Sequence, residues 1–186
     1  MDLRVEKTEN AIKNAFLELR SRKALEKITV KELCEKARIN KSTFYAHYQD
    51  IYALSDVLEE EVVKNITDSI PGFHSMSWNL AEFTRELTCA FTSQSTLINM
   101  LFSGNQRSHL SARIEESLKE GTFAEYPELR DSVRWNVILS YCIQGAYWAF
   151  EENRGNGEEE TLAVIGEISE LLQPLYLEKY SGKQIP

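Results

Sequence analysis

The sequence predicts an all-α fold, with a short N-terminal group of helices followed by a larger C-terminal helical bundle. Apolar side chains recur at the spacing of an amphipathic helix, beginning with Ile12, Ala15, Phe16 and Leu19. Glycine and proline are scarce, with 8 and 4 among 186 residues, and the prolines mark boundaries more than they fill loops. Because strand-like alternation is rare, we expect helices in both parts of the chain.

The first two helices are predicted from an apolar stripe and from a capping signal. We expect the first helix over residues 8–22. Thr29 and Glu32 have the spacing of a capping box, in which each side chain satisfies the other residue's backbone N–H. The second helix is therefore expected to begin at Val30 and to run to about Arg38.

A third helix is predicted over residues 41–48, with Asn40 as its N-cap. Phe44 and Tyr48 are four residues apart, so they share one face and are expected to point inward. The remaining side chains of this helix are then left outside.

The rest of the chain is predicted to form a connecting helix and a bundle. Asp50 caps the connecting helix, which ends before the break at Pro71-Gly72 and has one apolar face formed by Ile51, Leu54, Leu58, Val62 and Ile66. Further helices are expected near residues 78–92, 95–103, 107–121, 127–153 and 159–179.

Charge is distributed unevenly along the chain. The net charge is −8, but residues 1–50 carry +3 and residues 51–186 carry −11. This asymmetry indicates a head that faces phosphates, attached to an acidic body. The three cysteines are widely spaced, and neither a signal peptide nor a run of 18 apolar residues is present. We therefore expect a cytoplasmic protein with no metal, no cofactor and no membrane contact.

The second and third predicted helices have the form of a helix-turn-helix, in which the second helix sets its N-terminal residues against base edges. The outward positions of the third helix carry amine, hydroxyl and imidazole donors suited to phosphates and bases. The N-terminus of the second helix is a further anion site. The predicted DNA-binding residues are Thr29, Val30, Lys41, Ser42, Thr43, Tyr45 and His47. The alternative, a structural hairpin with a solvated polar face, leaves the exposed ring of Tyr45 unexplained.

Residues 25–48, LEKITVKELCEKARINKSTFYAHY, resemble the DNA-binding domain of the TetR/AcrR family of bacterial transcriptional regulators. With the first helix, the resemblance covers roughly residues 6–66. It implies a homodimer that binds a DNA operator, most often as a repressor released by a small-molecule effector. It also implies that Thr29, Ser42, Thr43, Tyr45 and His47 stand at contact positions. The domains implied are residues 1–50 for DNA binding, with a connecting helix over 50–69, and residues 71–186 for ligand binding and dimerisation.

Three positions depart from the family pattern. Arg38 stands in the turn where the family usually has glycine, and it is expected to adopt a positive φ. Ile51 stands where the family often has lysine at the start of the fourth helix, and Ala46 replaces a frequent basic residue. Fewer phosphate contacts are therefore expected from these positions.

The last two predicted helices are expected to form the dimer interface. Residues 135–150 are apolar nearly all round, and the final helix has two apolar rows. A symmetric four-helix contact between two subunits would bury these faces. The predicted dimer-interface residues are Ala146, Ile165, Ile168 and Leu172.

A polar row, Asn136, Ser140 and Gln144, lies within that apolar segment. These side chains either line an effector cavity or satisfy hydrogen bonds between helices or subunits. The predicted effector-binding residues are Trp78, Phe91, Trp135, Tyr141 and Gln144.

Two other functions compete with a DNA-binding repressor. The three histidines fall in different elements, and no catalytic or nucleotide-binding motif is present, so an enzyme is not expected. The second alternative is a regulator of the same fold that acts through a protein partner instead of a metabolite.

Overall fold

A computed structural model describes residues 3–70, 80–102 and 107–177. All regular secondary structure in these ranges is helical, which confirms the predicted all-α class. The helices of the described ranges are α1 Leu3–Arg20, α2 Val30–Ala37, α3 Lys41–His47, α4 Ile51–Asp68, α5 Leu80–Ser93, α6 Ser95–Leu101, α7 Arg107–Glu125, α8 Val133–Asn153 and α9 Glu158–Leu177.

The chain divides into two compact units. The first contains the described residues within Met1–Val62 and Thr96–Gln106, and the second those within Val63–Ser95 and Arg107–Pro186. Helix α4 contributes residues to both units. Most of α6 belongs to the first unit, so a segment distant in sequence joins α1, α2 and α3 there.

The core of the first unit is built from the apolar faces that the sequence indicates. Helix α1 packs against α2, and α2 packs against α3. Ile12, Phe16, Leu33, Phe44 and Leu54 are fully buried. Burying side chains of this size stabilises the folded state by about 1.5–3 kcal/mol each, so this small core stabilises the first unit.

Arg20 is a charged residue that is nevertheless buried in the first unit. Its Nη1 donates to the carbonyl oxygen of Lys23 at 2.8 Å, and its Nη2 donates to that of Leu101 at 3.2 Å. Burial lowers the pKa of the guanidinium, while the carboxylates of Glu26 and Glu59 oppose this shift. The end of α1 is thereby joined to the C-terminal turn of α6, where unsatisfied carbonyls accept bonds from cations.

The second unit is a bundle in which α5 packs on α9, α7 on α8, and α8 on α9. The helix predicted over 127–153 begins instead at Val133, because Pro127–Leu129 forms a short 3₁₀ turn. Another 3₁₀ turn, Arg154–Asn156, leads to Gly157 at φ 139°, which separates α8 from α9 as expected.

Some predicted features fall outside the described residues, namely Pro71-Gly72, Trp78 and the break between the helices predicted over 95–103 and 107–121. Among the helices that the structure describes, none is both long and apolar enough to cross a membrane.

Candidate nucleic-acid interface

Helix α2 begins at the predicted N-cap, Thr29. The Thr29 Oγ1 accepts a hydrogen bond from the backbone N–H of Glu32 at 3.2 Å. The Glu32 carboxylate bonds to Lys23 Nζ at 2.6 Å. The Thr29 half of the capping box is therefore confirmed, and Glu32 serves to tie the loop before α2 to the helix. Thr29 is exposed and Val30 is half-buried at this end of α2.

The turn between α2 and α3 depends on an arginine in the left-handed region. Arg38 has φ 57° and ψ 42°, and its N–H donates to the carbonyl oxygens of Cys34 and Glu35. Within the described ranges it is the only residue other than glycine with a positive φ. The expectation of a positive φ is confirmed. The conformation costs about 1 kcal/mol relative to glycine, because Cβ approaches the following carbonyl oxygen.

Asn40 organises the start of α3. Its Oδ1 accepts hydrogen bonds from the Thr43 N–H at 2.7 Å, the Ser42 hydroxyl at 2.7 Å and the Thr43 hydroxyl at 2.8 Å. The predicted N-cap is therefore confirmed. Each hydroxyl has a single proton to donate, so Ser42 and Thr43 can donate to a phosphate only by rotating away from Asn40.

Helix α3 has one buried face and one exposed face. Phe44 and Tyr48 are buried, as predicted, whereas Lys41 is exposed and Tyr45 has 56% of its surface exposed. The Tyr45 ring meets the Phe44 ring edge-on, with centroids 5.5 Å apart. Lys41 also lies near Cys34, where burial raises the pKa of the thiol and the Lys41 charge opposes that rise. Lys41 and Tyr45 are thus large side chains of α3 that remain exposed to solvent.

His47 is less accessible than the sequence suggests. Only 15% of its side chain is exposed, and its Nδ1 lies 3.3 Å from Glu9 Oε1 on α1. We expected His47 to point outward with the polar face of α3, and this orientation is corrected. The partner lies 38 residues away in the sequence, so no local pattern reveals it.

The start of α4 carries a carboxylate instead of a cation. Asp50 Oδ1 accepts a hydrogen bond from the Ala53 N–H at 2.8 Å, which confirms Asp50 as the N-cap. Ile51 is buried. An apolar residue suits position 51 because it completes the core. The start of α4 consequently offers no side-chain cation at this position.

The predicted effector-binding residues that the structure describes differ in their exposure. Phe91 and Trp135 are buried, while Tyr141 is 66% exposed and Gln144 donates to Glu115 Oε2 at 2.8 Å. Phe91 does border a cavity of about 20 Å³ in the second unit, with Leu87, Thr88, Ile114, Ile143, Ala146, Tyr147 and Phe150. Such a cavity has room for roughly one water molecule. The apolar run in α8 predicted that this helix would contribute residues to the lining. It did not show which of its positions are buried.

The polar row of α8 bonds to neighbouring groups. Glu115 on α7 accepts hydrogen bonds from Ser140 at 2.5 Å and from Gln144 at 2.8 Å, and it pairs with Lys119 at 2.7 Å. Asn136 donates to the carbonyl oxygen of Arg130 at 2.8 Å. Burial raises the pKa of the Glu115 carboxyl, but these hydrogen bonds and the Lys119 charge outweigh it and hold the pKa below its usual value. Ser140 and Gln144 therefore make the hydrogen bonds between helices that the second alternative describes, whereas Asn136 bonds to the turn that precedes its own helix.

The predicted dimer residues separate into buried and exposed positions. Ile165 is 6% exposed, so it belongs to the core of its own subunit, and Ala146 borders the small cavity. Leu172 is half-buried and Ile168 is exposed. The exposed large apolar residues of α8 and α9, here called the α8–α9 apolar face, are Val133, Val137, Tyr141, Trp148, Val164, Ile168, Leu171 and Leu175. One of the two apolar rows of α9, formed by Val164, Ile168, Leu171 and Leu175, is thus exposed to solvent.

Helices α2 and α3, with their turn, present an exposed surface that carries Arg38, Lys41 and Tyr45. Asn40 and Thr29 fix the backbone beneath it. Comparison of the chain with protein-family models, characterised proteins and solved structures gives no match.

Proposed function

We propose that the protein is a DNA-binding transcriptional regulator of the TetR type, with α2 and α3 as its helix-turn-helix. The observation that carries this proposal is the exposure of Lys41 and Tyr45 on α3, beside the buried Phe44. Packing within the fold does not account for the exposed Tyr45 ring beside the unpaired Lys41. Binding to a partner molecule accounts for both. Double-stranded DNA supplies phosphates for the cation and base edges for the hydroxyl.

The dimensions of α3 suit the major groove. An α-helix with its side chains is about 10–12 Å across, and the groove is about 12 Å wide. Lys41 and Tyr45 are separated by one helical turn, so they lie on the same side. Lys41 at the first position would reach base edges or phosphates, as the N-terminal residues of a recognition helix do. Phe44, on the adjoining side of the helix, is buried in the core.

We further propose that the protein is a homodimer through the α8–α9 apolar face. Exposed apolar side chains that follow one another along two neighbouring helices mark an interaction surface. A second copy offers the same surface, so a twofold axis would pair α8 and α9 of each subunit in a four-helix contact. Two copies of α3 would then read half-sites about one helical turn of DNA apart.

A small-molecule effector and a protein partner remain two candidates for the regulatory input. Drug-sized ligands occupy pockets of about 300–1,000 Å³, so the cavity of about 20 Å³ would have to open widely to admit one. One experiment distinguishes the two candidates. Fractionated extract of the source cell separates them: release of the DNA by the small-molecule fraction supports an effector, and release by the macromolecular fraction supports a partner protein.

The test of DNA binding uses duplexes that tile the region upstream of the protein's own gene. We expect wild-type protein to bind one of them more tightly than a shuffled duplex, and Lys41→Ala to lose most of that affinity. Lys64→Ala is the matched control, because Lys64 is an exposed lysine of α4 outside α2 and α3. Equal affinities for Lys41→Ala and wild type would show that α3 is not the recognition helix.

A further inference from the structure

We propose that Arg38, the strained residue of the turn, is an additional DNA contact that binds a backbone phosphate beside the groove occupied by α3. This inference rests on the proposed function and names a residue that the predicted DNA-binding set does not include. Three observations support it: the backbone conformation of Arg38, the lack of a partner for its charge, and the loss of other donors nearby.

The backbone at Arg38 has no need of an arginine. The φ of 57° and ψ of 42° lie in the region that favours glycine, and the bonds to Cys34 and Glu35 are made by the main-chain N–H. Glycine would form the same cap without steric strain. A strained residue that a glycine would relieve often marks a functional position, where the side chain itself is required.

The charge of Arg38 has no carboxylate partner, in contrast to several other cations of the first unit. Carboxylates pair with five of those, as Lys13–Glu61, Arg22–Glu18, Lys23–Glu32, Lys31–Glu35 and Lys36–Glu18. In the part of the chain that the structure describes, Arg38 and Lys41 have no such partner, and both are exposed. They stand three residues apart in sequence, on either side of the Asn40 cap. The turn therefore concentrates two uncompensated positive charges at the start of the recognition helix.

The other donors near this end of α3 are already in use. The hydroxyls of Ser42 and Thr43 donate to Asn40. Position 51, at the start of α4, is a buried isoleucine. The planar guanidinium of arginine can donate two parallel hydrogen bonds to one phosphate, which makes it suited to this task. Arg38 thus supplies a phosphate contact that position 51 does not.

The test compares Arg38→Gly and Arg38→Asn with wild type, because glycine relieves the strain and asparagine tolerates the left-handed region without a charge. Lys64→Ala is again the control for removing an exposed cation. Affinity for the tightest-binding upstream duplex and for a shuffled duplex is measured over a series of salt concentrations, together with the melting temperature.

We expect Arg38→Gly to melt at the same temperature as wild type or higher, and both Arg38 variants to bind DNA at least tenfold more weakly. The loss should be equal on the two duplexes. The slope of log affinity against log salt should become shallower by roughly 0.9 for each phosphate contact removed. No purely structural role for Arg38 predicts a more stable protein that binds DNA less well.

Two results would overturn the inference while leaving the proposed function intact. One is wild-type affinity and salt slope in both Arg38 variants. The other is a loss confined to the upstream duplex, which would mean that Arg38 reads a base. If wild-type protein binds no duplex at all, the proposed function itself fails and this inference fails with it.

Discussion

Substituting two adjacent residues of α3 separately tests which of its faces is buried. Phe44 is fully buried, so Phe44→Ala should cost about 3–5 kcal/mol through lost burial and the cavity left behind. Tyr45 has 56% of its surface exposed and touches the core through one edge-on contact with Phe44. Such an aromatic contact is worth about 0.5–1.5 kcal/mol, so Tyr45→Ala should cost about 1 kcal/mol.

The two costs are measured by urea unfolding at one protein concentration, since a dimer's stability depends on concentration. DNA affinity is then compared with that of wild type at one temperature for both variants. Tyr45→Ala should lose DNA binding while nearly keeping its stability, whereas Phe44→Ala should lose both. A cost above about 3 kcal/mol for Tyr45→Ala would show that its ring belongs to the core, and the assignment of the exposed face would be refuted.

Three further predictions concern other parts of the molecule. Leu171 is 80% exposed, so Leu171→Arg should sediment as a folded monomer, whereas Ile165→Arg should unfold because it buries an unpaired charge. Asn40→Ala should lower the free energy of unfolding by about 0.5–2 kcal/mol through loss of the α3 cap, measured by denaturant titration. Glu115 has a lowered pKa, so it stabilises the fold above its unfolded pKa, and that contribution is lost as pH falls through the folded value. Glu115→Gln should therefore flatten the fall in melting temperature below about pH 4.5, and an unchanged pH profile would contradict this assignment.

Local signals in the sequence predicted the start of three helices. Thr29, Asn40 and Asp50 each accept a hydrogen bond from a backbone N–H three residues ahead, so residue type and short spacing are sufficient. The first helix was predicted to begin at residue 8 and begins at Leu3. Its first turns are exposed, so no apolar stripe in the sequence indicates that they are helical.

Contacts between distant segments could not be predicted in the same way. His47 meets Glu9, and Ser140 and Gln144 meet Glu115, across separations of 38, 25 and 29 residues. The two apolar rows of α9 were visible in the sequence, but hydropathy alone does not show which row faces the subunit's own core. The exposure of each side chain in the structure shows which row faces the core. Ile165 is buried, whereas Val164, Ile168, Leu171 and Leu175 are exposed.

The measurement that tests the central claim most directly is the salt dependence of DNA binding by the wild-type protein. Affinity for the upstream duplexes should fall linearly on a logarithmic salt scale, with a slope of about −0.9 for each phosphate neutralised. At every salt concentration one duplex should bind more tightly than its shuffled version, since base contacts add to the phosphate contacts. No binding to any duplex at low salt, or an affinity that salt leaves unchanged, would contradict the assignment of α2 and α3 as a DNA-binding helix-turn-helix.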